Sequence, residues 1–318
     1  MKNEIKENNK KLPNWKYLIL IILPIIFWAC AFPFINILLK ELSFINLTIM
    51  RFVVVCFVLI IFLSFQSKRF NPLQKKDIIP IFLLGFFGVI GYHLGLNYGE
   101  QYVSPGAASL IIATIPIFVA ILSIIYLEEK ITLKKTSGII ISLTGVTIIS
   151  LWGTSDAIIE IDYIYGAIGV LIAAIMGALY TIAGKKMLKR YNGFSLTVYA
   201  MLLGSIGLIP FLNVSLINQV KNLSITGWGG LIFLGLFSTI TAYTLWYIAL
   251  ETRDASEISM YLYAIPVIST IISFFLVGEI ITIYFILGGL FVITGLLLVN
   301  SKKSPKTLPL LKSKRKDS

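Results

Sequence analysis

The chain has 318 residues, of which 57% are hydrophobic and only 13% are charged, a balance that excludes an ordinary soluble domain. Its net charge of +12 would suit a nucleic-acid binder, but the basic residues sit in the two tails and in short connections between apolar runs, where they attract anionic lipid. The two cysteines, Cys30 and Cys56, lie inside apolar runs, so neither a disulfide framework nor a zinc site is expected.

Taken in order, a polar, Lys-rich tail covers 1–16. Apolar runs of about 20 residues, enough for a helix to cross the hydrocarbon layer, then predict spans over 17–39, 45–65, 78–99, 105–127 and 137–151. The start resembles a signal peptide with a cleavage site at Ala29-Cys30-Ala31, but the run is too long and continues past that site. An acidic connection over 152–162 holds Asp156, Glu160 and Asp162. Five further spans are predicted over 163–184, 194–212, 228–250, 258–277 and 284–299, followed by a basic tail over 301–318.

One stretch occurs twice at a constant offset of 150. Ser109, Pro116, Ser123 and Glu129 fall on Ser259, Pro266, Ser273 and Glu279, and Thr132, Gly138, Thr144 and Gly145 fall on Thr282, Gly288, Thr294 and Gly295. Upstream, Gly85 and Phe87 fall on Gly235 and Phe237. Apolar filler matches by chance, whereas a Pro, a Glu and paired Gly do not. The chain is an internal duplication, with repeats over 17–151 and 163–300.

Lys and Arg fix the expected orientation. Numbering segments alternately, 24 of the 27 collect on one side: five before span 1, four in 67–77, three in 128–136, four in 185–193, Arg253 and seven in the last tail. The other side has only Lys40 and Lys221, while Arg51 lies within span 2. Both termini are therefore expected in the cytoplasm of a cell-membrane protein. Five spans per repeat is an odd number, so the second repeat must insert upside down. The predicted fold is an all-α integral membrane protein of ten helices in two inverted five-helix repeats, a recurrent transporter construction with its substrate site between the repeats.

The duplicated motif also carries a family resemblance. Pro116, the Y-L-E-E of 126–129, Gly138 and Gly145 resemble the signature of the EamA family of the drug/metabolite transporter superfamily. The second copy, Pro266, V-G-E at 277–279, Gly288 and Gly295, matches it better, because the first has Glu128 where Gly is usual. The resemblance covers nearly the whole of 17–300. It implies a ten-helix carrier, usually an exporter of amino acids or other small metabolites.

Polar groups within spans are the candidate site residues. In span 3, Gly91, Gly95 and Gly99 form a stripe at which another backbone approaches closely, and His93, Asn97 and Glu100 gather on the opposite face. The offset puts Tyr243 and Tyr247 on His93 and Asn97, with Trp246 on Leu96, which predicts a His/Asn face opposite a Tyr/Tyr face. His93 has two readings of similar weight, a cavity residue or a buried ring bonded to a carbonyl; proton coupling through it is a weaker third. Tyr263, Trp28 and Tyr180 complete the candidate substrate-binding set. Pro116 and Pro266 are expected to kink or break their helices, and with Gly138 and Gly288 to act as hinges. Glu129 and Glu279 are given a structural duty at the start of the next helix (Thr132, Thr282). Arg51 is expected to snorkel to the interface, with an anionic substrate group as its alternative partner.

No H-E-x-x-H, G-x-S-x-G or G-x-x-x-x-G-K-[ST] motif occurs, so no enzyme, metal site or cofactor is expected. The expected partners are a small-molecule substrate and the lipid bilayer, with no nucleic acid, and the expected assembly is a monomer or a weak homodimer. Two rival readings stand beside a metabolite exporter: a carrier of phosphorylated or nucleotide sugars, and a membrane scaffold or receptor subunit that does not transport.

Overall fold

The computed structural model describes residues 14–66, 70–130, 132–152, 161–278 and 282–300. Within these the chain is helical and has no β-strand. The helices are α1 (Asn14–Leu38), α2 (Phe44–Gln66), α3 (Ile78–Gly85), α4 (Tyr92–Gly99), α5 (Pro105–Ile112), α6 (Ile115–Leu127), α7 (Leu133–Trp152) and α8 (Ile161–Met187). They continue with α9 (Gly193–Ile206), α10 (Ser215–Lys221), α11 (Ile225–Gly235), α12 (Ala242–Thr252), α13 (Ala255–Ser259), α14 (Ala264–Val277) and α15 (Ile283–Asn300). Most of the acidic connection, including Asp156 and Glu160, and all of the basic tail at 301–318 lie outside the described residues, as does Glu279.

Among the described residues seven helical stretches are long and apolar enough to cross a membrane: Tyr17–Leu38, Phe44–Ser64, Lys75–Gly99, Pro105–Leu127, Ile164–Met187, Ile225–Thr252 and Ala255–Leu276. Gly193–Ile206 and Ile286–Gly295 are shorter apolar helices. Large apolar side chains face outward along them, Phe57, Ile79 and Phe275 each being at least 66% exposed. Water would penalise that surface and hydrocarbon does not.

Helix starts follow local chemistry. Ser104 accepts from Ala107 N with Pro105 in the first turn, Asn192 accepts from Ser195 N, and Ser224 accepts from Gly227 N. The two spans expected to bend at proline are interrupted. One breaks at Ala113–Thr114, and Pro116 sits in the first turn of α6, where its missing N–H costs nothing. The other passes through a 3-10 turn, Met260–Tyr263, before Pro266 in the first turn of α14.

The third and eighth predicted spans each contain a feature the sequence reading missed. Between α3 and α4 runs a π turn, Phe86–Gly91, and between α11 and α12 another, Leu236–Thr241. They stand 150 residues apart, the offset of the sequence duplication.

Glycines set the closest helix contacts. A Cβ at Gly95 would meet the Gly169 carbonyl oxygen at 2.8 Å, and one at Gly99 the Gly166 carbonyl oxygen at 2.6 Å, so the glycine stripe of α4 lies on α8. α7 and α15 touch at equivalent places: a Cβ at Gly145 would meet Gly288 O at 2.4 Å, and one at Gly295 would meet Gly138 O at 2.7 Å. Gly138 and Gly288, expected as hinges, thus sit where two helix backbones touch.

Candidate functional site

The helices line a partly open cavity in the middle of the bundle. The first half contributes Trp28 and Phe32 from α1, Gly88 from the π turn, and Tyr92 from α4. The second contributes Gly177, Tyr180 and Thr181 from α8 with Tyr243 and Trp246 from α12. Ile112 and Ile115 line it together with Leu262 and Ile265, their equivalents at the offset of 150. The cavity therefore straddles the line that relates the two halves of the sequence.

Its shape depends on the π turns. Such a turn adds a residue to the helix and redirects its carbonyls. Gly88 O is taken by His93 Nδ1 at 2.8 Å, and Leu234 O and Leu236 O accept from the hydroxyls of Thr239 and Thr241. Ser238 O, in the second turn, accepts from the Trp28 indole at 3.0 Å, which sets that ring on the cavity wall. Gly88 is required here, since a Cβ would stand 2.4 Å from the Tyr180 ring.

The aromatic wall is continuous. Trp28 lies edge-on to Tyr243 and Trp246 at 5.4 and 5.2 Å between ring centres, and Tyr180 lies edge-on to Tyr243 at 5.4 Å. Tyr180 also stacks on Tyr247 at 5.0 Å. Among the described residues no charged side chain lines the cavity, so it suits a ligand with a substantial apolar body and few hydrogen-bonding groups.

Of the eight residues expected to bind substrate, Trp28, Tyr180, Tyr243 and Trp246 line this cavity, and four do not. His93 and Asn97 are fully buried against α2, His93 edge-on to Phe52 at 4.9 Å and Asn97 donating to Thr48 at 2.9 Å. The His93 ring still comes within 6.2 Å of Tyr243. Tyr247 is fully buried behind Tyr180, whose carbonyl its hydroxyl meets at 3.3 Å. Tyr263 is buried in a small cluster with Leu110, Met260 and Val292. Tyr92, Phe32 and Thr181 are wall residues that the sequence reading passed over. Tyr92 adjoins His93 and so turns off the polar face used to choose candidates.

Two placements correct the sequence reading. Arg51 does not snorkel: it is 2% exposed, and its Nε donates to Thr239 Oγ1 in the second π turn at 2.8 Å. Glu129 does not serve its own next helix as expected. Thr132 starts α7 with its own hydroxyl, which accepts from Lys135 N at 3.3 Å. The Glu129 carboxylate instead crosses to the other half, accepting from Ala255 N at 2.7 Å, Ser256 N at 3.1 Å and Ser256 Oγ at 2.6 Å. Lys135 binds Asp254 and Ser256 beside it, each at 3.0 Å. Lys185 gives its hydrogens to the carbonyls of Leu250 and Arg253 at the end of α12.

Comparison with known proteins agrees with this architecture. A solved crystal structure 16% identical in sequence superposes with a TM-score of 0.67, covering 89% of this chain and 95% of its own, which shows a shared fold. An uncharacterized transporter of Archaeoglobus fulgidus is 40% identical over 90% of this chain and 99% of its own length. An uncharacterized transporter of Bacillus subtilis is 34% identical over 84% of this chain and 85% of its own. A probable terminal-alkyne amino-acid exporter of Streptantibioticus cattleyicolor is 28% identical over 89% of this chain and 92% of its own. The model of the EamA-like transporter family matches twice, over residues 15–151 and 164–301. Matched over both halves and folded as a bundle of membrane helices, the chain belongs to the EamA-like transporter family of the drug/metabolite transporter superfamily.

Proposed function

We propose that the chain is a secondary transporter that exports amino acids or similar small metabolites by alternating access. Its ten membrane-crossing segments form two five-helix repeats inserted in opposite directions, with both termini in the cytoplasm. The observation that carries this reading is the aromatic cavity between equivalent positions of the two repeats, Ile112 with Leu262 and Ile115 with Ile265. A central site at such an axis can be exposed to either side when one repeat rocks against the other.

The wall chemistry sets the substrate class. Stacked tyrosines and tryptophans favour a metabolite with an apolar or aromatic body, and an amino acid with such a side chain fits. The relative named as a probable amino-acid exporter points the same way. A phosphorylated or nucleotide sugar fits poorly: among the described residues no Lys or Arg lines the cavity, and Lys185 is committed to two carbonyls. A scaffold without transport would have no use for a cavity shared between equivalent positions of the two repeats.

A toxicity and efflux screen of amino acids and related metabolites, in cells with and without the protein, tests the reading. Protection against a subset with apolar side chains is expected, and it should be lost in Trp246→Ala. Equal sensitivity across the whole panel would sink it. Tags at both termini reporting opposite sides of the membrane would overturn the ten-segment inverted arrangement.

A further inference from the structure

The seam between α2 and α9 is closed at one end and open at the other. Near the last turns of α2, Phe62 lies edge-on to Phe194 at 5.3 Å between ring centres, and Phe70 lies 5.1 Å from the same ring. The offset of 150 equates Phe62 and Phe194 with Leu212 and Phe44. There Phe44 turns to Tyr98 at 5.4 Å, and Leu212 is 55% exposed. The seam opens at that end as an apolar groove.

Helix length explains the difference. α2 runs for 23 residues, whereas α9 stops after 14, which is about 21 Å against roughly 30 Å of hydrocarbon. At Gly207 the chain lies so close to the π turn Phe86–Gly91 that a Cβ there would collide with the Ile90 side chain. Pro210, in the short 3-10 turn Ile209–Phe211, then keeps the helix from resuming. The groove is also held open from both ends. Asn46 donates to Ser215 Oγ at 3.1 Å and Gln219 Oε1 at 2.7 Å and accepts from Asn213 Nδ2 at 2.8 Å, which pins the chain after α9 to the start of α2. The Phe62–Phe194 pair fixes the other end.

Depth and polarity choose the occupant. Ile49, Phe52 and Leu208 form the floor, each at most 4% exposed, while Val53 and Ile209, more than half exposed, form the rims. The rims continue the outward apolar surface of Ile206, Phe57 and Ile60. Residues 49–56 lie about 8–18 Å along α2 from its first residue, beneath the headgroups and within hydrocarbon. Ser205 gives its hydroxyl hydrogen to Met201 O at 2.6 Å, and among the described residues no charged side chain lines the groove. Water finds too few partners in such a place, and an empty groove forfeits dispersion contacts along its whole wall. A saturated hydrocarbon chain supplies those contacts.

We propose that this groove is a binding site for one acyl chain of a bilayer phospholipid, which takes the place of the helical turns that α9 lacks. The chain lies between Val53 and Ile209 on the floor of Ile49, Phe52 and Leu208. Fixed walls on both sides hold it longer than the lipid that merely surrounds the outer helix faces. The site rests on the membrane placement of α2 and is independent of which solute the protein moves.

Photo-cross-linking tests this on the purified full-length protein in vesicles of phosphatidylethanolamine and phosphatidylglycerol. A minor fraction of the lipid carries a diazirine midway along one acyl chain. After irradiation, peptide mass spectrometry should find adducts on 49–56 and 205–212 in excess of those around Phe275 of α14, although Phe275 is 76% exposed. Exposure alone predicts the opposite order. Val53→Trp and Ile209→Trp each lay an indole across the mouth, and should bring the groove down to the α14 level while labelling of α14 stays the same. A measurement on the unaltered protein covers the case in which neither variant folds. When the protein is moved to lipid-free detergent before irradiation, groove adducts should persist while those on α14 disappear. Groove labelling at or below that of α14, undiminished labelling in both folded tryptophan variants, or equal loss from both places in detergent each overturns the proposal. So does displacement of the adducts by an aromatic amino acid, which would make the groove a solute portal. A dimer cross-linked through Cys56 in Cys30→Ala would equally overturn it, by making the groove a face between two copies.

Discussion

Replacing Glu129 by alanine tests whether one carboxylate ties the two halves together. It accepts three hydrogen bonds from the start of α13, two from backbone amides and one from the Ser256 hydroxyl, at 2.6 to 3.1 Å. Bonds to a charged group contribute about 1.5–3 kcal/mol each when buried, but Glu129 is half-exposed and water replaces part of what is lost. The loss of an N-cap costs about 0.5–2 kcal/mol, so we expect about 2 kcal/mol in all. At about 1.4 kcal/mol per factor of ten, that opens the start of α13 roughly thirtyfold more often. Amide hydrogen exchange followed by mass spectrometry reads this directly, because protection in a short segment reports its local opening equilibrium. Exchange of 255–259 should rise by about that factor, while the similarly half-buried Glu41, changed to alanine, should disturb only its own partner, Ser224. Unchanged protection of 255–259 would refute the idea that Glu129 holds α13.

Glu128 and Gly278 occupy equivalent positions, and both are left-handed, at φ 57° and 80°. Glu128→Gly removes a strain of about 1–2 kcal/mol at the cost of greater freedom when unfolded, so a modest rise in the thermal midpoint in detergent is expected, and a fall would contradict it. Gly85→Ala should abolish folded protein on size-exclusion chromatography, because its Cβ would meet Ala200 O at 2.4 Å and Gly204 Cα at 2.6 Å, both backbone atoms; Gly229→Ala, with nothing within 4 Å, should behave as the parent. Tyr191→Phe removes a hydroxyl that donates to Asp77 at 2.9 Å and accepts from Gln74 N at 3.0 Å, and should lower stability by about 1–3 kcal/mol in a thermal melt, leaving the cavity untouched.

The membrane class, the duplication and the family were legible in the sequence, because each is written in one dimension. Twenty apolar residues in a row report their own environment, and a Pro, a Glu and two Gly repeated at one offset report a common ancestor for the halves. The glycine stripe at 91, 95 and 99 was legible too, since helical periodicity alone places those residues on one side. What that stripe packs against, Gly166 and Gly169 of α8, depends on which helices become neighbours, and no local pattern encodes this. The same limit explains the partner of Glu129, which lies 126 positions away in sequence, and the burial of Arg51, whose distance along its helix suggested the interface. His93, the single histidine, was a candidate as an ionisable group within a span, yet the π turn that takes up its Nδ1 turned the ring behind the wall and brought the ordinary-looking Tyr92 to the cavity. A π turn arises when side chains and neighbouring helices compensate the displaced carbonyls, so Phe86–Gly91 and Leu236–Thr241 share their geometry without sharing a sequence. Periodicity decided which face of each helix is polar, and only the packing of helices distant in sequence decided which of those faces meets open space.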